Sequence, residues 1–201
     1  MKILTCVALL DNTSSEKIKK IMTKISIKCK SKNALSFPPH ISLRAYFEIE
    51  DNKIDTLIEN LNEVISSFRK INLQTTTYNF YPWKIIFLDT KKNITLHDLH
   101  IKLMNIIQKY RTEWVPNYLL ENTTNFKGKQ RKYIEKYGYQ FAFEYFSQHI
   151  TLAGNDMTQE LFEKIKTELS NKQENMEIRI DKVALIDINN KKIIKSFSLS
   201  L

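Results

Sequence analysis

The chain reads as an α+β fold: a bilobal, duplicated arrangement of antiparallel sheets with flanking helices around a central groove. Three observations predict it. Apolar runs with strand character alternate from end to end with runs of helical period. Neighbouring strand runs are joined by turn-type residues rather than helical crossovers, which favours antiparallel pairing over a Rossmann-like parallel sheet. The order helix, strand, helix, strand, strand occurs twice, and one short motif is repeated on a strand of each half. The chain is therefore expected to form a single domain of two pseudo-symmetric lobes, at about 1–92 and 93–201.

Residues 2–10 form an apolar run with the character of a buried strand. Ser14 and Ser15, followed by Glu16 and Lys17, offer a helix start. Ile18, Ile21, Met22 and Ile25 then recur at the spacing of one helical face. The stretch Lys28–Pro39 is a polar, basic loop closed by Pro38-Pro39. His40–Ile49 alternates as a strand does, and Asp51 and Asn52 open a helix carrying Ile54, Leu57, Ile58, Leu61, Val64 and Ile65. Strands near 71–80 and 84–90 are parted by Pro82.

Thr95 leads a long helix striped by Leu96, Leu99, Leu103, Ile106, Ile107 and Tyr110. The segment 115–146 is less regular, although Tyr139, Phe141, Phe143 and Tyr145 alternate as in a strand that buries its aromatics. Another strand is predicted around His149–Ala153, then a helix opened by Asn155/Asp156. Two final strands, near 176–187 and 192–200, meet at the hairpin turn Asn189-Asn190.

Composition narrows the class. Among 201 residues, 31 Lys+Arg stand against 22 Asp+Glu, a net charge of +9, and 42% are hydrophobic. That apolar content excludes a disordered tail or a disulfide-stapled miniprotein. No apolar run approaches the roughly 20 residues of a membrane-spanning helix. Three glycines leave no glycine-rich phosphate loop. Lys2 and the apolar run Ile3–Leu10 superficially suggest a secretory leader, but Asp11 follows directly and no small-residue cleavage site appears. Cys6 and Cys29 are too few for a disulfide framework or a cysteine-based zinc site, so a reducing, cytoplasmic setting is expected. The positive charge favours polyanionic partners, and neither a membrane nor an obligate protein partner is indicated.

The repeated motif is His40-Ile41-Ser42-Leu43 and His149-Ile150-Thr151-Leu152. On a strand, residues i and i+2 share a face. His40 and Ser42 thus point together while Ile41 and Leu43 pack beneath, and His149 and Thr151 do the same. If the halves face each other, two histidine–hydroxyl pairs meet across one groove. Such a set suits phosphodiester chemistry: one imidazole accepts a proton from the attacking oxygen and the other protonates the departing one. Ser42 and Thr151 can donate to non-bridging phosphate oxygens. Acid, base and anion contacts are all side chains, so no metal or cofactor is required.

These two His-x-Ser/Thr-x motifs, on strands of duplicated halves, resemble the signature of the two-histidine (2H) phosphoesterase superfamily, which includes 2′-5′ RNA ligase-like proteins and cyclic phosphodiesterases. The segment Gln130–Tyr139 leading into Phe146-Ser147-Gln148-His149 is also similar to a subgroup associated with phosphonate metabolism genes. The resemblance implies a metal-independent phosphodiesterase acting on a nucleotide, cyclic nucleotide or RNA, with a 2′,3′-cyclic or 2′,5′ linkage. His40 and His149 would be the acid–base pair, with the base left unassigned. The competing class is a non-catalytic RNA-end or nucleotide-binding module using the same groove.

Other candidates surround this pair. Arg44 continues the row of His40 and Ser42, where it can hold a phosphate or equally face solvent with a snorkelling stem. Lys129, Arg131, Lys132 and Tyr133 lie in a basic, aromatic stretch suited to nucleic-acid contacts. A third function class, an accessory factor binding nucleic acid through residues 127–136, follows from that stretch alone. Tyr78, Phe80, Tyr81 and Trp83 could supply a ring that stacks on a base. His97 and His100 flank Asp98 and read as part of a solvated helix face.

Overall fold

The computed structural model describes residues 1–200, and of Thr123 only the backbone. The chain runs β1 (Lys2–Leu10), α1 (Asn12–Cys29), β2 (His40–Ile49), α2 (Ile54–Ile65), β3 (Ile71–Tyr81), β4 (Ile85–Thr90) and α3 (Ile94–Ile107). It continues through α4 (Asn117–Glu121), α5 (Gly128–Tyr137), β5 (His149–Ala153), α6 (Gln159–Leu169), β6 (Glu177–Asp187) and β7 (Lys192–Ser198). The expected α+β class with antiparallel sheet is what the chain adopts. All seven strands form one antiparallel sheet ordered β1-β2-β5-β4-β3-β6-β7.

An extra pairing of β1 with β6 makes the strand order close on itself. One arm is β5-β4-β3 and the other is β2-β1-β6-β7. They meet at two narrow seams: β3 with β6 over Ile71–Gln74, and β2 with β5 at Ile41 opposite Ile150. Each arm draws strands from before and after residue 92. Helices α1 and α6 pack together with α1 on β5, while α2 and α3 pack together with α3 on β2 and α2 on β7.

Alternation explains which side of the sheet is core. Leu4, Cys6 and Ala8 of β1, Ile41 and Leu43 of β2, Ile86 and Leu88 of β4, and Ile150 and Leu152 of β5 share one large buried cluster with the apolar stripes of α1, α2, α3 and α6. At about 25 cal/mol per Å² of apolar surface, this burial is the main force holding the helices on the sheet. Val7, Ala184 and Ile186 form a separate small cluster with Leu9 and Phe37, because they point the opposite way.

Several boundaries differ from the sequence expectation, each for a local reason. Helix α1 begins at Asn12, since the Asp11 carboxylate accepts the Ser14 amide as its N-cap. It runs on to Cys29 and stops where Lys30 turns left-handed. Helix α3 begins at Ile94 because Asn93 caps the Leu96 amide. Asp156 does not open α6; Thr158 caps it, and the Asp156 carboxylate is taken by the 31–33 loop. The aromatic run 139–145 is no strand. It turns back through a 3₁₀ segment, so Tyr139 and Ala142 are buried against Met104 of α3 rather than on a sheet. The last hairpin turns at Asn189-Asn190 as expected, with Asp187 accepting from the backbone and side chain of Asn190.

Candidate active site

The two motif strands are neighbours. Because β2 and β5 are antiparallel with Ile41 opposite Ile150, His40 lies across from Thr151 and Ser42 across from His149. All four share the face away from the main core. Ile41, Leu43, Ile150 and Leu152 are completely buried beneath them, while the four polar side chains stay partly exposed. The two histidine–hydroxyl pairs are brought together by direct strand adjacency. On either side of this quartet, Leu9 and Val7 of β1 lie beside His40 and Ser42, and Phe87 and Asp89 of β4 lie beside Thr151 and His149.

Both histidines are held in the same way. His40 Nδ1 is 2.8 Å from the carbonyl of Pro38, and His149 Nδ1 is 3.1 Å from the carbonyl of Ser147, in each case two residues upstream. A carbonyl only accepts, so Nδ1 carries the proton and Nε2 keeps its lone pair for the groove. Ser147 Oγ adds a second contact to His149 Nδ1 at 3.0 Å. Burial pushes the pKa of His149 down to about 4, against the opposing Ser147 carbonyl and helped by the nearby His40. Burial lowers His40 as well, partly offset by the Pro38 carbonyl. Both imidazoles are therefore favoured in the neutral form, with Nδ1 protonated and Nε2 able to accept a proton.

Aromatic rings wall the His149 side. Tyr81 stacks on Trp83 at 4.8 Å, lies over Phe87 at 4.4 Å and stacks on Phe141 at 5.6 Å. Phe87 and Phe141 also contact the His149 ring, at 4.7 and 6.2 Å. Of the aromatics singled out in the sequence, Tyr81 and Trp83 belong to this wall, whereas Tyr78 and Phe80 pack into the core. On the other side, Phe37 meets His40 edge-on at 6.4 Å.

Arg44 does not stand in the row of His40 and Ser42. Val7 faces Ser42 but Cys6 faces Arg44, so Leu43 is an extra residue and the alternation breaks at a bulge. Arg44 is 1% exposed, which excludes the solvent-facing alternative. Nη1 donates to the carbonyls of Ala45 and Tyr46, Nη2 donates to the Tyr137 carbonyl at 2.6 Å, and the group lies 4.9 Å over the Tyr139 ring. On α5, Lys129 pairs with Glu144 and Arg131 with Glu135, and the Tyr133 hydroxyl donates to Glu144. Lys132 is exposed and forms no ion pair among the described residues.

The solvated-face expectation for His97 and His100 is corrected. His100 is fully buried, donates from Nδ1 to the Leu43 carbonyl at 2.6 Å and accepts at Nε2 from the Phe143 amide at 2.9 Å. It also stacks flat on Phe146 at 4.1 Å. Its position four residues after Leu96 and three before Leu103 is the signal that places it on the apolar stripe. Half-buried His97 bonds the Phe143 carbonyl through Nε2 at 3.2 Å. Among the described residues, no cluster of three or more His, Cys, Asp or Glu side chains could hold a metal ion, and no helix is long and apolar enough to cross a membrane.

A sequence model of the 2′-5′ RNA ligase superfamily matches residues 13–192, most of the chain and both histidine strands. The chain belongs to the 2′-5′ RNA ligase superfamily. A protein of Geobacillus sp. (strain WCH70) that carries a phosphoesterase name is 34% identical over 80 residues, which are 39% of this chain and 46% of that protein's length. The fold itself is found among solved structures. TT0787 of Thermus thermophilus is 13% identical with a TM-score of 0.62, over 98% of this chain and 97% of its own. E. coli LigT complexed with 3′-AMP is 12% identical with a TM-score of 0.62, over 100% and 99%. At such identities these two structures speak for the fold.

Proposed function

We propose that this superfamily member is a metal-independent phosphodiesterase for a nucleotide or RNA-type substrate with a 2′,3′-cyclic or 2′,5′ linkage. The observation that carries the reading is the quartet on β2 and β5: two imidazoles whose Nδ1 atoms are held by carbonyls, each lying opposite the other's hydroxyl partner on the neighbouring strand. With a 2′,3′-cyclic substrate, one Nε2 takes a proton from water as its oxygen bonds to phosphorus. The bond from phosphorus to the 2′ or 3′ oxygen breaks, and that oxygen receives a proton from the other histidine, which enters the cycle as imidazolium. With a 2′,5′ linkage, the neighbouring ribose hydroxyl attacks in place of water, the bond from phosphorus to the 5′ oxygen breaks, that oxygen takes its proton from the other histidine, and a cyclic phosphate is left.

Ser42 and Thr151 donate to the non-bridging oxygens as their charge grows. An anionic phosphate between the rings also favours the one imidazolium the cycle needs, since an opposite charge within about 4–6 Å raises a histidine pKa. Trp83, about one-third exposed beside Tyr81, offers a ring on which a base can stack. Exposed Lys132 of α5 is a cation suited to a longer strand. E. coli LigT, a protein of this fold, has been solved in complex with 3′-AMP, phosphate and NADP+, which supports a nucleotide-type substrate here.

The test is turnover in excess EDTA of 2′,3′-cyclic nucleotides, 2′,5′-linked oligoadenylate, a 3′,5′ oligoribonucleotide and cyclic dinucleotides. We expect at least one to be cleaved, with His40→Ala and His149→Ala each losing about 10²–10⁴-fold in kcat while still binding nucleotide. Binding without turnover, unchanged in both variants, would make the groove a non-catalytic nucleotide-binding module.

A further inference from the structure

The segment from Tyr139 to Phe146 has only one short 3₁₀ turn, Phe143–Tyr145, yet it is fastened at three points to the strand and helix behind the first motif. His100 bridges the Leu43 carbonyl, next to Ser42, and the Phe143 amide. His97 holds the carbonyl of the same Phe143, and Arg44 holds the carbonyl of Tyr137 while covering Tyr139. Phe143 has φ 53, a left-handed conformation costly for a residue with a Cβ and kept only where surrounding contacts impose it. The product of this fastening is the position of Phe141, whose ring stands against Tyr81 and His149 as the groove wall.

We propose that His100 is a positioning residue for substrate binding. By tying the Phe143 peptide to β2 it sets the distance between the first motif and the Phe141 wall beside the second, and so the width of the nucleotide site. The inference rests on the groove being the nucleotide site, as read above. It does not depend on the histidine pair being catalytic. Protein chemistry supports the assignment: in a neutral imidazole one nitrogen donates and the other accepts, which is what a buried carbonyl on one side and a buried amide on the other require.

The experiment is a double-mutant cycle read by calorimetric binding of 3′-AMP. Phe141→Ala removes the wall directly. His100→Asn keeps a donor near Leu43 but gives up the acceptor for Phe143, whereas His100→Gln retains an acceptor with the reach to it. We expect Phe141→Ala and His100→Asn each to weaken binding about tenfold, and the double variant to be no worse than either single one, because both act through one element. His100→Gln should recover most of the loss.

Folded His100→Asn protein that binds like wild type, or losses that multiply to about a hundredfold, would overturn the proposal. If His100→Asn does not fold, His97→Ala replaces it in the cycle. It is expected to show a smaller loss that vanishes in the Phe141→Ala background, and an unchanged affinity would count against the proposal. Failure of the wild type itself to bind 3′-AMP would instead strike the nucleotide-site reading, which separates the two failures.

Discussion

At the residue scale, three histidines are held neutral by burial, and this makes stability depend on pH. Burial lowers His100 and His149 to about 4 and also lowers His40. In the unfolded chain each titrates near 6.5, so between those limits the unfolded state binds more protons and stability rises with pH. The stabilising contribution is complete above about pH 6.5 and is lost as pH falls toward 4. His100, which is completely buried, accounts for roughly 3 kcal/mol across that window, and partly exposed His149 for less. Urea melts at pH 7.5 and 4.5 should therefore show a midpoint falling steeply with acid, and His149→Gln should flatten part of the slope. An equal midpoint at both values would mean that these imidazoles are not desolvated. The histidine pair was legible in the sequence because period-2 alternation applies to each four-residue motif. Arg44 was not, because a bulge between strands leaves no mark in a single sequence. His100 was obscured by exposed Asp98 and Lys102 on the neighbouring helix face.

Among the elements, the loop ahead of each motif is tied to the strand of the other. The 137–143 segment before β5 is fastened to β2 through Arg44 and His100. In return, the loop before β2 is fastened to the turn after β5. Asp156 accepts from the Ser31 hydroxyl and from the amides of Lys32 and Asn33, and Ser31 Oγ accepts from the Gly154 amide. Partial burial tends to raise the Asp156 pKa, but these hydrogen bonds outweigh it and hold the carboxyl below its usual range. Gly154 is required by close approach, since a Cβ there would sit 2.8 Å from Asn33 Cβ. Asp156→Ala should cost about 2 kcal/mol of stability, with Ser31 left buried and one partner short. It should also loosen the Pro38 carbonyl that orients His40. Thermal melts with amide exchange at residues 31–39 check this; unchanged protection in the loop would show that Asp156 is no tether. The sequence marks Asn155/Asp156 as a helix start, because local cap chemistry is visible in a chain while a carboxylate borrowed by residue 32 is not.

For the whole molecule, the question is where a charge of +9 resides. Little of it is at the motif row. The residues beside the quartet are Leu9, Val7 and Phe87 together with Asp89, whose pKa is raised by burial. Arg44 is committed to carbonyls, and Lys129 and Arg131 of α5 are paired with glutamates. Unpaired cations include a row along α1, which packs on the core side of β5, and exposed Lys182 of β6, which lies across β1 from His40. Lys17, Lys20 and Lys24 line two clefts of about 520 and 450 Å³, the first shared with Lys91 and Lys92. Among the described residues none of these five has a carboxylate within 4 Å. The α1 lysines and the motif row thus lie on opposite sides of the sheet, with the core between them, while Lys182 stands on the motif side, two strands or about 10 Å from His40. Exposed charges beyond a Debye length, about 10 Å at 0.1 M salt, act weakly on a ligand. Turnover of a 2′,3′-cyclic mononucleotide should consequently be nearly insensitive to salt, kcat/KM changing less than about threefold from 50 to 500 mM. Lys20→Ala and Lys24→Ala should leave it unchanged. A drop of tenfold or more over that range, or a loss in either variant, would place lysine charge at the phosphate. It would make long-range attraction, rather than the quartet's hydrogen bonds, the source of substrate affinity.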